Sequence, residues 1–245
     1  MRIAAVCPTY KRPHLLGRAI HCFLQQTHPD RELVILDDAG QYPTQSGDRW
    51  RLVSTPTRYP DFGTKRNAAI DLVSPGTEAI LCWDDDDVMW PQAMACAAEA
   101  LEHNPWAQCM VVLETQRPGL LKACLAHAGV GLHPWQWGYG GCWAYRLPEL
   151  RALGGYDAGD LGDDVGLAIK FWLRFGQAAS STPDDRPWYW YCREAGTQHI
   201  STQGPDFWRL RADDPMEPMP TPPIGWNGPD LYSWAIMPKI QPRPF

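Results

Sequence analysis

Short apolar runs bounded by turn residues alternate with amphipathic stretches through the first half of the chain. Ile3 to Cys7 reads as a buried strand, broken by Pro8-Thr9-Tyr10-Lys11-Arg12-Pro13. From His14 to Gln26 the apolar residues Leu15, Leu16, Ala19, Ile20, Phe23 and Leu24 recur at helical spacing, which predicts an amphipathic helix ending before Pro29. Glu32 to Leu36 is a second buried strand, ending at Asp37-Asp38, and Arg51 to Ser54 a short third one. Gly63 opens a helix through Val73. Ala79 to Trp83 is too short for a typical helix and reads as a strand, Pro91 is placed to start a helix through about His103, and Cys109 to Glu114 is another strand. This βαβ order predicts an α/β protein with a largely parallel sheet flanked by helices.

The second half has a different texture. Trp135 to Tyr145 is aromatic and glycine-rich, Pro148 starts a short helix that stops at Gly154-Gly155, and Val165 to Phe175 forms a largely apolar helix behind Asp163-Asp164. Trp188 to Cys192 resembles a last strand, followed by a loop containing His199. Between Pro215 and Phe245, nine prolines in 31 residues exclude regular helix. Trp226, Tyr232, Trp234, Ile236 and Met237 would anchor this extended tail on the domain.

Composition narrows the classes. At 245 residues, 44% apolar and 20% charged, the chain can bury a sizeable core, which excludes extensive disorder. Eight cysteines without a Cys-x-x-Cys pair fall mostly within apolar runs, as in a reduced cytoplasmic protein, and no stretch is long enough to span a membrane. Residues 1–66 carry 10 Lys and Arg against 6 Asp and Glu; with 22 and 28 in the whole chain, the remainder carries 12 against 22. A basic segment beside an acidic one suits a phosphate-bearing ligand.

The chemistry concentrates at the end of the Ala79 to Trp83 strand, where Asp84, Asp85, Asp86 and Asp87 follow one another. In an open α/β sheet that edge binds ligands. Adjacent carboxylates repel unless a cation sits among them, and Mg²⁺ or Mn²⁺ favours oxygen donors; a solvated acidic turn is the plainer reading. Lys65 and Arg66 in the first turn of their helix oppose its dipole, which a nearby nucleotide would explain and which snorkelling into solvent would explain equally. Asp163 or Asp164 serves as an N-cap on the plainer reading, although capping needs only one. A lone His199 in a loop reads first as structural.

Taken in order, these segments resemble the family 2 glycosyltransferases, enzymes of the GT-A fold that move a sugar from a nucleotide donor to an acceptor. The resemblance covers residues 1–205. It rests on Pro8-Thr9-Tyr10-Lys11-Arg12, Gln25-Gln26-Thr27, Glu32 to Asp38, Gly63 to Ala69, the aspartate run with Pro91, Gly154-Gly155-Tyr156-Asp157, Asp163-Asp164 and His199. It implies a GT-A type, Rossmann-like mixed sheet, with residues 1–115 holding a nucleotide-sugar donor such as a UDP-sugar, 116–205 receiving the acceptor, and 206–245 as a proline-rich extension. Pro8, Thr9, Tyr10, Arg12, Asp38, Gly63, Lys65 and Arg66 would line the nucleotide pocket. Asp84 and Asp85 would approach the ribose or metal, and Asp84, Asp86 and His199 would serve a Mn²⁺ or Mg²⁺ ion that helps the diphosphate leave. Asp164 would be the base that deprotonates the acceptor hydroxyl as it attacks with inversion. The family's usual Glu-Asp pair is Asp163-Asp164 here, which leaves open which of the two acts.

A nucleotidyltransferase would share sheet and metal but needs a glycine-rich basic loop after the first strand, which Pro8 to Pro13 is not. A sugar-binding module would explain the tryptophans but not the ordered carboxylates. For the acceptor, Trp135, Trp137, Trp143, Trp188, Trp190 and Trp208 with their neighbouring arginines suit a saccharide or a hydroxylated base in DNA such as 5-hydroxymethylcytosine. The acidic balance beyond residue 66 speaks against a long nucleic-acid footprint.

Overall fold

The computed structural model describes residues 1–109, 111–117, 120–125, 140–159, 163–181 and 188–192. The elements are β1 (Ile3–Thr9), α1 (Pro13–Leu24), β2 (Arg31–Asp37), β3 (Gln45–Gly47), β4 (Trp50–Ser54), α2 (Phe62–Asp71), β5 (Ala79–Cys82), β6 (Val88–Met89), α3 (Ala93–Leu101), β7 (Trp106–Gln108), β8 (Val111–Arg117), β9 (Leu120–Leu125), β10 (Trp143–Arg146), α4 (Leu147–Ala152), α5 (Asp163–Phe175), β11 (Ala179–Ser180) and β12 (Tyr189–Tyr191). An eight-stranded sheet runs β11-β7-β10-β5-β1-β2-β4-β3, and a four-stranded one runs β6-β12-β8-β9. The centre of the large sheet is parallel, with β1 between β2 and β5 and β4 beyond β2. β10 enters antiparallel between β5 and β7.

β1, β2 and β5 read as near-continuous apolar runs because helices cover both faces of a parallel sheet. Ile3, Ala5, Leu33, Ile35, Leu81 and Trp83 are all fully buried. β1 continues through Pro8 to Thr9 rather than breaking at Pro8, pairing with β2 throughout. β5 accompanies β1 only as far as Val6, so the amide hydrogen that Pro8 lacks falls where one ladder has already ended. The strand expected at Cys109 to Glu114 is instead a junction: β7 belongs to the large sheet and β8 to the small one. β10 begins at the end of the aromatic, glycine-rich stretch, where the apolar run Cys142 to Tyr145 behind Gly140-Gly141 is too short to announce a strand.

Among the described residues, tryptophan is used chiefly to pack. Trp83, Trp106, Trp143 and Trp188 are completely buried. Phe171 of α5 seats against Tyr145, at 4.6 Å between ring centroids, and against Trp106 at 5.8 Å. Gln26 joins α1 to the start of α3, donating to Trp90 O at 2.7 Å and accepting from Met94 N at 2.9 Å. Cys7, Cys22, Cys82, Cys109, Cys142 and Cys192 are buried thiols and Cys96 a half-buried one, none of them in a disulfide, and among the described residues no helix is long and apolar enough to cross a membrane.

Candidate active site

The C-terminal ends of β1, β2 and β5 deliver Thr9, Asp37-Asp38 and the aspartate turn to one edge of the large sheet. That turn is also the covalent step from the large sheet to the small one, since β6 begins at Val88. Its four carboxylates diverge. Asp84 faces Arg66, whose Nη2 lies 3.4 Å from Oδ1. Asp85 accepts from Thr9 Oγ1 at 2.6 Å and from Arg12 Nη1 at 2.9 Å. The same Arg12 nitrogen reaches Asp86 Oδ2 at 2.8 Å, and Arg18 donates to the Asp86 carbonyl. Asp87 turns away to β12, accepting from the Tyr189 hydroxyl and from Cys192 N at 2.9 Å. Crowding is therefore relieved by three arginines and by divergence.

The relief is incomplete. Burial, with Asp86 beside it, pushes the Asp85 carboxyl up to about 6 against the pull of Arg12 and Thr9. Burial likewise raises Asp86, against Arg12 and Arg18, and raises Asp87 well above the carboxylate range with Asp86 and Asp84 adding to it. For Arg12, burial alone would lower the guanidinium, but Asp86 and Asp85 outweigh it and raise it further.

Lys65 and Arg66 do not snorkel: they are 2% and 6% exposed. Lys65 Nζ donates to Thr9 O and to Asp38 Oδ1, both at 2.6 Å. Asp38 also accepts from Arg58 Nη1 at 3.0 Å and Tyr59 N at 3.1 Å, so this carboxylate, expected in the nucleotide pocket, is already surrounded by donors. Arg58 stacks on Tyr10, with 3.6 Å from Cζ to the ring centroid. The Gly63 amide, at the start of α2, is taken by Gly159 O at 3.0 Å. Pro8 is buried within the sheet next to Thr9.

Asp164 completes the cluster from the other half of the chain. It stands in the first turn of α5 and accepts from Val165 N at 2.8 Å. Burial raises its carboxyl, Arg66 lowers it, and Asp84 raises it again, so these three groups share one field. Gly140 and Gly141 lie between the two carboxylates. A Cβ on Gly140 would come within 2.2 Å of Asp164 Oδ2, and one on Gly141 within 2.6 Å of Asp84 Oδ2, so only glycine admits both acids to this backbone. For Asp163, the structure describes only its backbone at the start of α5.

As hard oxygen donors, Asp84 and Asp86 fit a divalent ion such as Mn²⁺ or Mg²⁺ in kind. Among the described residues, however, no three His, Cys, Asp or Glu side chains are grouped for one ion. His199 lies outside the described residues, as does the extension 206–245. Trp143, Trp188 and Trp190 are core side chains at 0%, 0% and 8% exposure, which removes them as stacking faces; Trp135, Trp137 and Trp208 lie outside the described residues.

Several residues of the cluster escaped the sequence reading. Arg18 sits three residues after Leu15 and four before Cys22, so a charge on an apolar helix stripe was its signal. Asp61, the N-cap of α2, accepts from Thr64 N at 2.7 Å, a cap visible as Asp three residues ahead of Thr. Nothing local marks Arg58, Gly140 or Gly141, whose roles come from residues distant in the chain.

Residues 4–120 match the model of Glycosyl transferase family 2. No curated protein matches the chain in sequence. Among solved structures it is similar to TarS 1–349 of S. aureus in complex with UDP-GlcNAc, at TM-score 0.59 and 15% identity over 82% of this chain and 60% of that one. It is also similar to the mannosyltransferase PcManGT from Pyrobaculum calidifontis in complex with GDP-Man and Mn²⁺, at TM-score 0.53 and 19% identity over 75% of this chain and 55% of that one. The chain thus spans little more than half the length of these structures, and what it shares with them is the GT-A fold.

Proposed function

Because residues 4–120 carry the glycosyl transferase family 2 pattern within a GT-A fold, we propose that this chain is an inverting glycosyltransferase that moves a sugar from a nucleotide-diphosphate donor, a UDP-sugar, to an acceptor hydroxyl. The observation that carries the reading is the meeting of Asp84 and Asp164 at Gly140-Gly141. An acid from the strand edge where ligands bind faces an acid from a separate helix, with Arg66 lending its charge to both.

The roles follow from placement. Thr9 and Arg12 fix the aspartate turn, while Lys65, Asp38, Arg58 and Tyr10 form a rigid wall beside it on which the nucleoside would rest. Arg12 and Arg66 are the cations nearest the diphosphate in this reading. Asp84 and Asp86, with His199, would hold a Mn²⁺ or Mg²⁺ ion. Such an ion, when bound, neutralises the departing diphosphate. Asp164 takes the acceptor's proton, and a carboxyl raised by burial is a better base than one left in water. That the TarS and PcManGT structures hold UDP-GlcNAc and GDP-Man supports a nucleotide-sugar donor in this reading. The acceptor, a saccharide or a hydroxylated base such as 5-hydroxymethylcytosine, enters from the half beyond residue 115. One catalytic domain covers 1–205, with 206–245 as its extension.

The test is a pair of amide variants. Asp164→Asn keeps the size and the hydrogen bond to Val165 but cannot take a proton, so transfer falls by roughly 10²–10⁴-fold while donor binding holds. Asp163→Asn is milder. Loss in Asp163→Asn with normal turnover in Asp164→Asn moves the base by one residue, and silence in both removes the catalytic reading.

A further inference from the structure

A second cationic feature lies at the opposite edge of the sheet. Arg2 precedes β1, Arg31 and Glu32 begin β2, and Trp50 and Arg51 begin β4; with Arg49 they line an open cavity of about 290 Å³. These strand starts face away from the edge carrying Thr9, Asp38 and Asp84, so the cavity is separate from the candidate active site.

The residues lining this cavity include four arginines and one acid, Glu32, whose carboxylate is engaged. Glu32 accepts from Ser74 N at 2.8 Å, Ser74 Oγ at 2.6 Å and Thr77 Oγ1 at 2.8 Å, and stands 3.9 Å from Arg51. Asp30 is at the exposed rim, 4.0 Å from Arg2 Nε. Asp48 is exposed as well. Two of the arginines are oriented by neutral acceptors that fix their position without cancelling charge: Arg31 Nη1 donates to His28 O at 2.6 Å, and Arg49 Nη1 to Pro29 O at 2.9 Å. Arg2 Nε, Arg31 Nε and both Nε and Nη2 of Arg51 are buried with no hydrogen-bond acceptor. Buried donors of this kind in a native fold call for an acceptor. The crowding is also felt electrostatically: burial lowers the Arg31 guanidinium, and Arg49 beside it lowers it further.

We propose that this cavity is an oxyanion site that takes a phosphate group, with Arg2, Arg31 and Arg51 as donors and Arg49 at its mouth. A planar guanidinium matches a phosphate with two parallel N–H groups, which fits several arginines converging where an ammonium would serve only as a point charge. The site is independent of the sugar-transfer reading and stands or falls without it.

The indole N–H of Trp50 reports on it directly. In a ¹H–¹⁵N spectrum of the full chain that resonance is assigned by its loss in Trp50→Phe. It is then followed during titration with inorganic phosphate at constant ionic strength. A saturable shift is expected, weakened by about tenfold or more in Arg51→Ala, since a charged hydrogen bond is lost. Arg49→Ala, at an exposed position, gives a second variant whose affinity falls without risk to the fold. A parallel titration with UMP separates two sources of the phosphate: binding of both assigns the site to a phosphoryl group on a larger molecule, and binding of inorganic phosphate alone assigns it to the free anion. No saturable shift with either probe, an equal shift with chloride, or undiminished binding in both arginine variants overturns the proposal.

Discussion

Asp84, Asp85, Asp86 and Asp87 are consecutive in the chain, yet each answers to a different partner: Arg66, Thr9 with Arg12, Arg12 with Arg18, and Tyr189 with Cys192. Arg12 is the shared member, with its side chain 23% exposed. Arg12→Ala leaves two buried carboxylates without their nearest cation, and chemical denaturation should register a loss of roughly 3 kcal/mol, the lower end for a broken buried pair. A loss below about 0.5 kcal/mol would mean that the pair is screened like a surface ion pair. The acidity of this turn was legible in the sequence, because four carboxylates at a strand end admit few explanations. Its arginines were less so, since Arg12 and Arg18 gain their meaning only when α1 is folded back on β5 and the turn.

Between elements, the joints are side chains that satisfy another segment's backbone. Asn67 of α2 both accepts from Tyr156 N and donates to Tyr156 O, each at 2.9 Å, which pins the turn after α4. Asn67→Ala strands both groups and should cost about 2 kcal/mol, visible as a lower denaturation midpoint. Gly155 sits in the left-handed region at φ +71° with Asn67 Oδ1 2.5 Å from any Cβ, so Gly155→Ala should cost more than the roughly 1–2 kcal/mol of the backbone conformation alone. Glu32 ties β2 to the connection between α2 and β5. Burial would raise its carboxyl, but the hydrogen bonds from Ser74 and Thr77 prevail and hold it below the usual range. Its contribution is therefore present above the unfolded value near 4.5 and is lost as pH falls through the lower folded value. The stability gap between the wild type and Glu32→Gln should shrink on acidification below about pH 4.5 in urea titrations, and a constant gap would contradict the assignment. Among the described residues, periodicity and turn residues located β1, β2, β4, β5, β12 and the helices α1 to α5 to within a few residues. It missed β3 and β9, which pair antiparallel with their chain neighbours β4 and β8, and β6, β7, β10 and β11, which have two to four residues each and take their form from pairing with strands distant in the chain.

For the molecule as a whole, the charge asymmetry seen in the sequence resolves into two uses of the basic first segment. Arg12, Lys65 and Arg66 turn inward to the acids at one edge, and Arg2, Arg31, Arg49 and Arg51 gather at the other. Since arginines already hold the turn together, removing divalent ions with EDTA should stop sugar transfer and leave the unfolding temperature of the donor-free protein unchanged in calorimetry. A drop of several degrees would instead give the ion a structural role. The bond from Tyr189 to Asp87 joins the end of the turn to a strand more than a hundred positions further on. Heritable change at one of these positions is then constrained by the other. Across natural variants of this chain, a substitution at 87 should be accompanied by one at 189 more often than chance allows, while Asp84 and Asp86 persist without regard to position 189, so four letters that read as a single motif should split, over evolutionary time, into two independently inherited constraints.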